Sequence, residues 1–198
     1  MTPADNHQPE LRWKTLQRRD GGDFRLFRLE WVRRQHPRDG RYGEFIVLHT
    51  PAWVNVIPIT PDNTVVMVRQ YRHGSDCITL EFPGGVLSPD EDPARAAMRE
   101  CTEETGYAGV ALESIGEQFP NPAFLATRCY TYAWYGCQYV KQPQWDAHEV
   151  VETVEIPFDR VEQLIANGEI QHSIMIAAWT LFRLRTESVE HSCGGLNG

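Results

Sequence analysis

The order of its segments predicts that this chain folds as an α+β protein, a mixed α/β sandwich with a mixed sheet, and not as a series of βαβ units. Short β-like segments dominate the first half, one acidic helix follows them, and further strands precede a C-terminal helix. The 198 residues, of which 41% are hydrophobic, suffice for a domain with a buried core and are too apolar for a disordered chain.

The N-terminal part is expected to be a small antiparallel β-subdomain built on a hairpin over residues 24–49. Apolar residues alternate with charged ones from Phe27 to Trp31, as in a strand with one buried face. A turn containing Pro and Gly at 37–40 separates this strand from a second one at 42–49.

Turn residues separate the strands that are expected to form the main sheet. Tyr130, Tyr132 and Trp134 alternate along one of them and are most simply explained as core residues. The expected strands are 53–59, 64–72, 78–82, 110–115, 130–139 and 150–156.

A helix is predicted between Asp90–Asp92 and Gly106. Acidic residues followed by Pro93 satisfy the free amides of a first helical turn, and Gly106 suits a left-handed cap. This helix is expected to pack closely on the sheet, because Ala97 and Cys101 form a narrow stripe of small residues.

Two shorter patterns predict the C-terminal helices. Asp159 and Glu162 have capping-box spacing, and Gly168 would end the helix that they begin. Apolar residues at helical spacing predict a last helix over 173–185. We expect three parts in all, an N-terminal β-subdomain (1–50), a main domain (51–187) and a flexible tail (188–198).

Charge and composition exclude several classes of protein. Nineteen Lys and Arg against 27 Asp and Glu give a net charge of −8, which argues against a general binder of nucleic acid but not against a small anionic substrate bridged by metal ions. No apolar run approaches the roughly 20 residues that span a bilayer. Five cysteines without CxxC spacing argue against a disulfide framework and against a zinc site. We expect a cytoplasmic protein without a nucleic-acid or membrane partner.

The predicted acidic helix carries the chemistry. Glu100, Glu103 and Glu104 occupy positions i, i+3 and i+4, so their carboxylates converge on one face and repel each other unless something neutralises them. Three carboxylates without His or Cys are a hard, oxygen-only ligand set that suits Mg²⁺ or Mn²⁺. The simpler alternative is a solvated acidic helix face.

Residues just before and within the helix favour the metal site over that alternative. Gly84 and Gly85 remove side chains, so that backbone groups can reach a ligand directly. Arg99 lies beside Glu100 and can hold another carboxylate, such as that of Glu91. These features indicate a metal site that faces a phosphate.

The same stretch resembles the Nudix box, GX5EX7REUXEEXGU, in which U is a bulky aliphatic residue. Cys101 and Tyr107 depart from the pattern at two packing positions. The residues that match at the required spacing are Gly85, Glu91, Arg99, Glu100, Glu103, Glu104 and Gly106.

The resemblance implies a Nudix α/β/α sandwich that hydrolyses a nucleoside diphosphate linked to another group with the help of divalent cations. It implies metal ligation by the three box glutamates and the Gly84 carbonyl, with Glu91 and Arg99 as a supporting ion pair. The stretch from Val65 to Gly84, and Pro122 fifteen residues past the box, are similar to the ADP-ribose and nucleoside diphosphate sugar subgroup, whose products are a nucleoside monophosphate and a sugar phosphate.

The sequence also offers candidate site residues outside the Nudix box. The resemblance implies that a glutamate from a loop late in the chain acts as the base or orients the attacking water. Glu149 and Glu152 are the candidates. For each of them the alternative is an exposed charged residue on a strand. Residues expected to bind substrate, with a salt bridge or a core position as the alternative, are Arg72, Arg69, Glu81 and Trp53. Pro122 is also expected to bind substrate.

The resemblance also implies a homodimer, in which the N-terminal segment exchanges across a two-fold interface. Long edge strands would otherwise be an aggregation hazard. Two other functions stay open: hydrolysis of NADH or a dinucleoside polyphosphate, and non-catalytic nucleotide sensing. The box keeps all its glutamates, which favours an enzyme.

Overall fold

The structure is a computed structural model that describes residues 9–145 and 150–193, without the side chains of 188–193. The chain divides into two compact units. The first contains the N-terminal residues to Pro51 together with Asn121–Thr127, and the second contains Ala52–Pro120 and the chain from Arg128 onward.

The first unit is built on a three-stranded antiparallel sheet with β2 in the centre. Its strands are β1 (Lys14–Asp23), β2 (Arg28–Gln35) and β3 (Tyr42–His49). The predicted hairpin is therefore confirmed as β2 and β3. β1 was not predicted from the sequence, because its residues are mostly polar and it gains regularity only by pairing with β2.

The expected burial pattern of β2 is wrong. Glu30 and Val32 are the buried residues of this strand, whereas Leu29 and Trp31 are only half-buried. Glu30 tolerates burial because His49 Nε2 lies 3.1 Å from its carboxylate and Arg18 donates to the same oxygen. These contacts from the neighbouring strands outweigh the simple apolar alternation along β2.

The second unit is built on a seven-stranded mixed sheet in which five strands follow the order β12-β5-β4-β10-β9. In addition, β6 pairs with β5 and β7 pairs with β4. The central β4–β10 pair is parallel, and the other pairs are antiparallel. The strands are β4 (Trp53–Ile59), β5 (Thr64–Arg72), β6 (Cys77–Glu81), β7 (Gly84–Val86), β9 (Ala111–Gln118), β10 (Cys129–Tyr135) and β12 (Val151–Pro157), and a separate two-stranded sheet pairs β8 (Tyr107–Ala108) with β11 (Gln138–Tyr139).

Helices cover both faces of the mixed sheet. α1 (Pro93–Thr105) packs its small residues Ala97 and Cys101 against Val54, Val56 and neighbouring residues. α2 (Val161–Ala166) and α3 (Ser173–Cys193) belong to a second hydrophobic cluster, which lies on the opposite face. The arrangement is an α/β/α sandwich, and the predicted α+β class is confirmed.

Three local predictions need correction. The expected strand 130–139 is broken at Gly136, which has a φ of 68° and separates β10 from β11. The capping box at Asp159 does not form, because a 3₁₀ turn precedes α2 and no side chain caps it. α3 extends past Arg185 to Cys193, and residues 194–198 of the expected tail lie outside the described residues.

No helix in the described part of the chain is long and apolar enough to cross a lipid bilayer. The side chains of four cysteines, Cys77, Cys101, Cys129 and Cys137, are described, and all four are free thiols. Burial raises the pKa of both Cys129 and Cys137 to about 12.

Candidate active site

Both ends of α1 are fixed by the residues that the sequence singled out. The Asp92 side chain accepts hydrogen bonds from the backbone N–H groups of Ala94 and Arg95 at 3.0 and 3.1 Å. At the other end Gly106 has a φ of 77°, and a Cβ there would lie 2.1 Å from the carbonyl oxygen of Lys141. The glutamates in the last turns of α1 are therefore held on a rigid element.

Arg99 is the centre of an ion-pair cluster on α1. Its Nε and Nη2 donate to the two carboxylate oxygens of Glu91, each at 2.9 Å. Its Nη1 lies 2.8 Å from Glu100 Oε1 and 2.9 Å from Glu103 Oε2. The hydrogen bonds from Arg99, assisted by the Ser88 backbone, lower the pKa of Glu91 to about 2. Burial opposes the charge of Arg99, but its carboxylate partners, Glu91 above all, raise the pKa of this guanidinium.

Glycines 84 and 85 allow the glutamates to lie against β7. Glu104 is 6% exposed, and its Oε2 accepts a 2.9 Å hydrogen bond from the Gly84 N–H. A Cβ on Gly84 would lie 2.1 Å from the backbone oxygen of Val54, and a Cβ on Gly85 would lie 2.4 Å from the Glu100 carboxyl carbon. Both positions therefore need glycine for close approach, Gly84 to a strand and Gly85 to a carboxylate.

A cavity of about 650 Å³ adjoins these glycines. Residues from β4, β6, β7 and the start of α3 form its wall. The polar and aromatic residues in the wall that matter here are Trp53, Asn55, Arg72, Glu81 and His172, in addition to Gly84 and Gly85.

Glu81 is a fully buried carboxylate in that wall. Arg72 donates to it through Nε at 2.7 Å and Nη2 at 2.6 Å, Thr79 donates a further hydrogen bond, and His172 Nδ1 lies 3.1 Å from Oε2. Burial by itself would raise the pKa of Glu81, but these three partners together outweigh it and hold the pKa well below the usual value. Glu81 is thus an anion that orients Arg72 at the edge of the cavity.

Trp53 belongs both to the cavity wall and to the edge of the core. It lines the cavity, and it also packs against the hydrophobic cluster beneath α3.

The remaining predicted site residues are Arg69, Glu152, Pro122 and Glu149. Arg69 Nη1 donates to Glu152 Oε2 at 3.0 Å in an exposed pair across β5 and β12, and neither residue lines that cavity. Pro122 lies in an exposed turn of the first unit. Glu149 falls outside the described residues.

A family match covers all of the geometry just described for the second unit. Residues 49–179 match the model of the NUDIX domain. The chain belongs to the NUDIX family.

Individual relatives agree with this membership. The NUDIX chain is 30% identical over 154 residues to the methanol dehydrogenase activator of Bacillus methanolicus. This alignment covers 77% of this chain and 83% of that protein. It is 26% identical over 133 residues to the ADP-ribose pyrophosphatase of Bacillus subtilis strain 168. This alignment covers 67% of this chain and 72% of that protein. Its fold is that of a solved ADP compounds hydrolase, with a TM-score of 0.79 at 20% identity over 89% of this chain and 95% of that chain. The prediction of a Nudix hydrolase is confirmed.

The donor chemistry on α1 fits the divalent cations that NUDIX hydrolases generally use. Glu100, Glu103 and Glu104 offer only carboxylate oxygens, the ligands that hard cations prefer. Within residues 9–145 and 150–187, no three His, Cys, Asp or Glu side chains are gathered closely enough to enclose an ion. Instead, Arg99 is a cation that lies between Glu100 and Glu103, and Glu104 is held by the Gly84 N–H.

Sequence reasoning missed two residues in the cavity wall of this NUDIX protein. Asn55 is a polar residue inside the apolar run Trp53–Ile59, and that break in the pattern was the available signal. His172 directly precedes α3 and approaches Glu81 from a distant part of the chain. Nothing in the spacing of the histidines could have placed it there.

Proposed function

We propose that this Nudix hydrolase cleaves the diphosphate of ADP-ribose or a related nucleoside diphosphate sugar in the presence of Mg²⁺ or Mn²⁺. Water adds across the P–O–P bridge, so the products are a nucleoside monophosphate and a sugar phosphate. The observation that carries the proposal is the position of Gly84 and Gly85, which contact the α1 glutamates and also line the 650 Å³ cavity. The similarity to a bacterial ADP-ribose pyrophosphatase supports the same substrate class.

In this proposal the box residues have two roles. Glu100, Glu103 and Glu104, with the Gly84 carbonyl, hold the divalent cations, and the Glu91–Arg99 pair keeps their helix turn in place. A bound cation neutralises diphosphate charge and lowers the pKa of attacking water. The carboxylates need such a cation near the substrate, because alone they would repel a diphosphate.

The cavity wall would bind the rest of the substrate. Arg72, held by Glu81, presents a partly exposed guanidinium whose planar shape matches phosphate or a sugar diol. Trp53 offers an aromatic face to a base. We propose Arg69 and Pro122 as further substrate contacts.

We also propose that Glu149 or Glu152 orients or deprotonates the attacking water. Glu152 is paired with Arg69, so its carboxylate would exchange this partner during the reaction. Glu152 lies on β12, and Glu149 precedes this strand in the sequence.

One observation favours a second function. The relative in Bacillus methanolicus is named as an activator of a methanol dehydrogenase, so an action on a partner enzyme or its nucleotide is the alternative. NADH and dinucleoside polyphosphates are the alternative substrates.

A substrate panel tests the proposal. We expect the purified chain with Mg²⁺ or Mn²⁺ to release phosphorylated products from ADP-ribose faster than from a GDP-sugar, NADH or diadenosine tetraphosphate, with no turnover in chelator. Preference for NADH or the dinucleoside would move the assignment to that substrate. Binding of ADP-ribose without turnover in any metal would indicate a sensing domain.

Assembly and location complete the proposal. We propose a cytoplasmic homodimer in which residues 1–50 serve as the dimerisation subdomain, 51–187 as the hydrolase domain and 188–198 as a tail. The exposed apolar side chains of Tyr42, Phe45 and Ile46 on β3 support burial against a second copy. Light scattering at micromolar concentration should give twice the chain mass of 22.7 kDa, and a fully active monomer would contradict it.

A further inference from the structure

Asn55 is a buried amide that its own protein leaves incompletely bonded. It is 1% exposed, and its side-chain oxygen has no hydrogen-bond partner among the described residues. Its Nδ2 donates to Cys129 Sγ at 3.6 Å, and a thiol sulfur is a weak acceptor. Buried polar groups without partners destabilise a fold, so such a group in a native protein calls for an explanation.

The position of Asn55 provides one. It lies on β4 directly opposite Gly84 of β7, and it forms part of the wall of the cavity. The next residue on the same face of β4, Ile57, is fully buried in the hydrophobic cluster beneath α3. A leucine at position 55 would continue that apolar face, so packing alone does not account for an amide there.

We propose that Asn55 contacts the substrate and selects for a hydrogen-bond donor on the nucleotide sugar, either a sugar hydroxyl or the exocyclic amine of the base. This inference rests on the proposed function. The torsion between Cβ and Cγ of asparagine is broad, so the amide can rotate to present its oxygen to a ligand in the cavity. The substrate then supplies the donor that the free protein lacks.

The proposal predicts opposite effects on stability and on binding. Asn55→Leu removes the unsatisfied amide, so its melting temperature should equal or exceed that of the wild type. The dissociation constant for a non-hydrolysable ADP-ribose with a methylene group in place of the bridging oxygen, measured by calorimetry with Mg²⁺ present, should rise about tenfold or more, as expected for one lost hydrogen bond of roughly 1.4 kcal/mol. Asn55→Ala should weaken binding similarly, which separates the loss of the amide from the bulk of leucine.

Gln118→Leu is the matched control. Gln118 is an amide on β9 outside the cavity, and its Nε2 donates to the buried Thr131 hydroxyl at 2.8 Å. This variant should melt at a lower temperature and bind ADP-ribose as the wild type does.

An analogue identifies the donor. If the base amine is the donor, the hypoxanthine analogue of ADP-ribose should bind equally to the wild type and Asn55→Leu. If a hydroxyl is the donor, the difference should persist with the analogue. Wild-type affinity in both Asn55 variants, or a lower melting temperature of Asn55→Leu with unchanged affinity, would overturn the role of Asn55 alone. A wild type that binds no ADP-ribose would instead overturn the proposed function.

Discussion

The guanidinium of Arg99 meets the carboxylate of Glu91 through two hydrogen bonds, each 2.9 Å long, while its third nitrogen lies between Glu100 and Glu103. One arginine thus ties the segment before α1 to the helix and neutralises two neighbouring acids. A lysine could not reproduce this arrangement, because it offers a point charge and not a planar fork.

The first prediction concerns the depressed pKa of Glu91. Its pKa is about 2 in the folded protein and 4.5 for an unperturbed glutamate, so ionised Glu91 contributes stability that is complete above pH 4.5 and is lost as the pH falls toward 2. Glu91→Gln should therefore melt several degrees below the wild type at pH 7, and this gap should narrow below pH 4.5. Melting curves across this range test it, and a gap that is constant with pH would contradict the ion pair.

Glu104→Gln should reduce the metal-dependent rate at least a hundredfold with little change in melting temperature, since the amide keeps its size but loses the negative charge that a cation needs. Steady-state hydrolysis of ADP-ribose is the measurement. Glu113→Gln, on the exposed part of β9, is the control and should retain the wild-type rate. A Glu104 variant with a tenth or more of wild-type activity would refute the ligand assignment.

Alanine should have different effects at the two adjacent glycines. At Gly84 the new Cβ would lie 2.1 Å from the Val54 backbone oxygen, and a strand cannot move aside cheaply, so Gly84→Ala should be strongly destabilised. At Gly85 the three nearest atoms would belong to the Glu100 carboxylate, which can rotate away, so Gly85→Ala should stay folded but lose most of its activity. Thermal melting and rate assays of both variants check this, and equal melting temperatures would contradict the packing argument.

Arg72→Met should destabilise the protein by about 2–4 kcal/mol, because the buried negative charge of Glu81 would lose its arginine partner. Since the Arg72 side chain is half-exposed, we expect a loss of stability toward the lower end of this range. The double variant with Glu81→Leu should recover much of this loss. Urea unfolding of the two single variants and the double variant measures the coupling. Additive free energies would show that the pair does not act as a unit.

Replacing the two candidate bases distinguishes their roles. The variant that lacks the true base, Glu149→Gln or Glu152→Gln, should lose about a hundredfold in rate and the acidic limb of its pH–rate profile. The other should resemble the wild type. No rate loss in either would remove this segment from the chemistry.

The sequence was sufficient for those parts of the fold that local chemistry determines. Asp92, Pro93 and Gly106 mark the ends of α1 because capping and backbone conformation depend on adjacent residues. The Nudix box could be located for the same reason, since its residues form one continuous segment from β7 to the end of α1.

Contacts between distant segments were not predictable in the same way. β1 is polar and is defined by its pairing with β2, and the buried state of Glu30 depends on Arg18 and His49 from the flanking strands. The approach of His172 to Glu81 likewise joins residues far apart in the chain. Such partners become visible only once the strands have been placed side by side.

The parallel pairing of β4 with β10 has a consequence for biosynthesis. Residues 53–59 lie beside residues 129–135, so the middle of the sheet cannot close until the later segment has been translated. During synthesis the apolar face that α1 covers would lack Tyr132 and Trp134. If translation stalls before residues 129–135 are made, the nascent chain would expose this apolar face to chaperones. Productive folding of the second unit begins only after these residues have been translated.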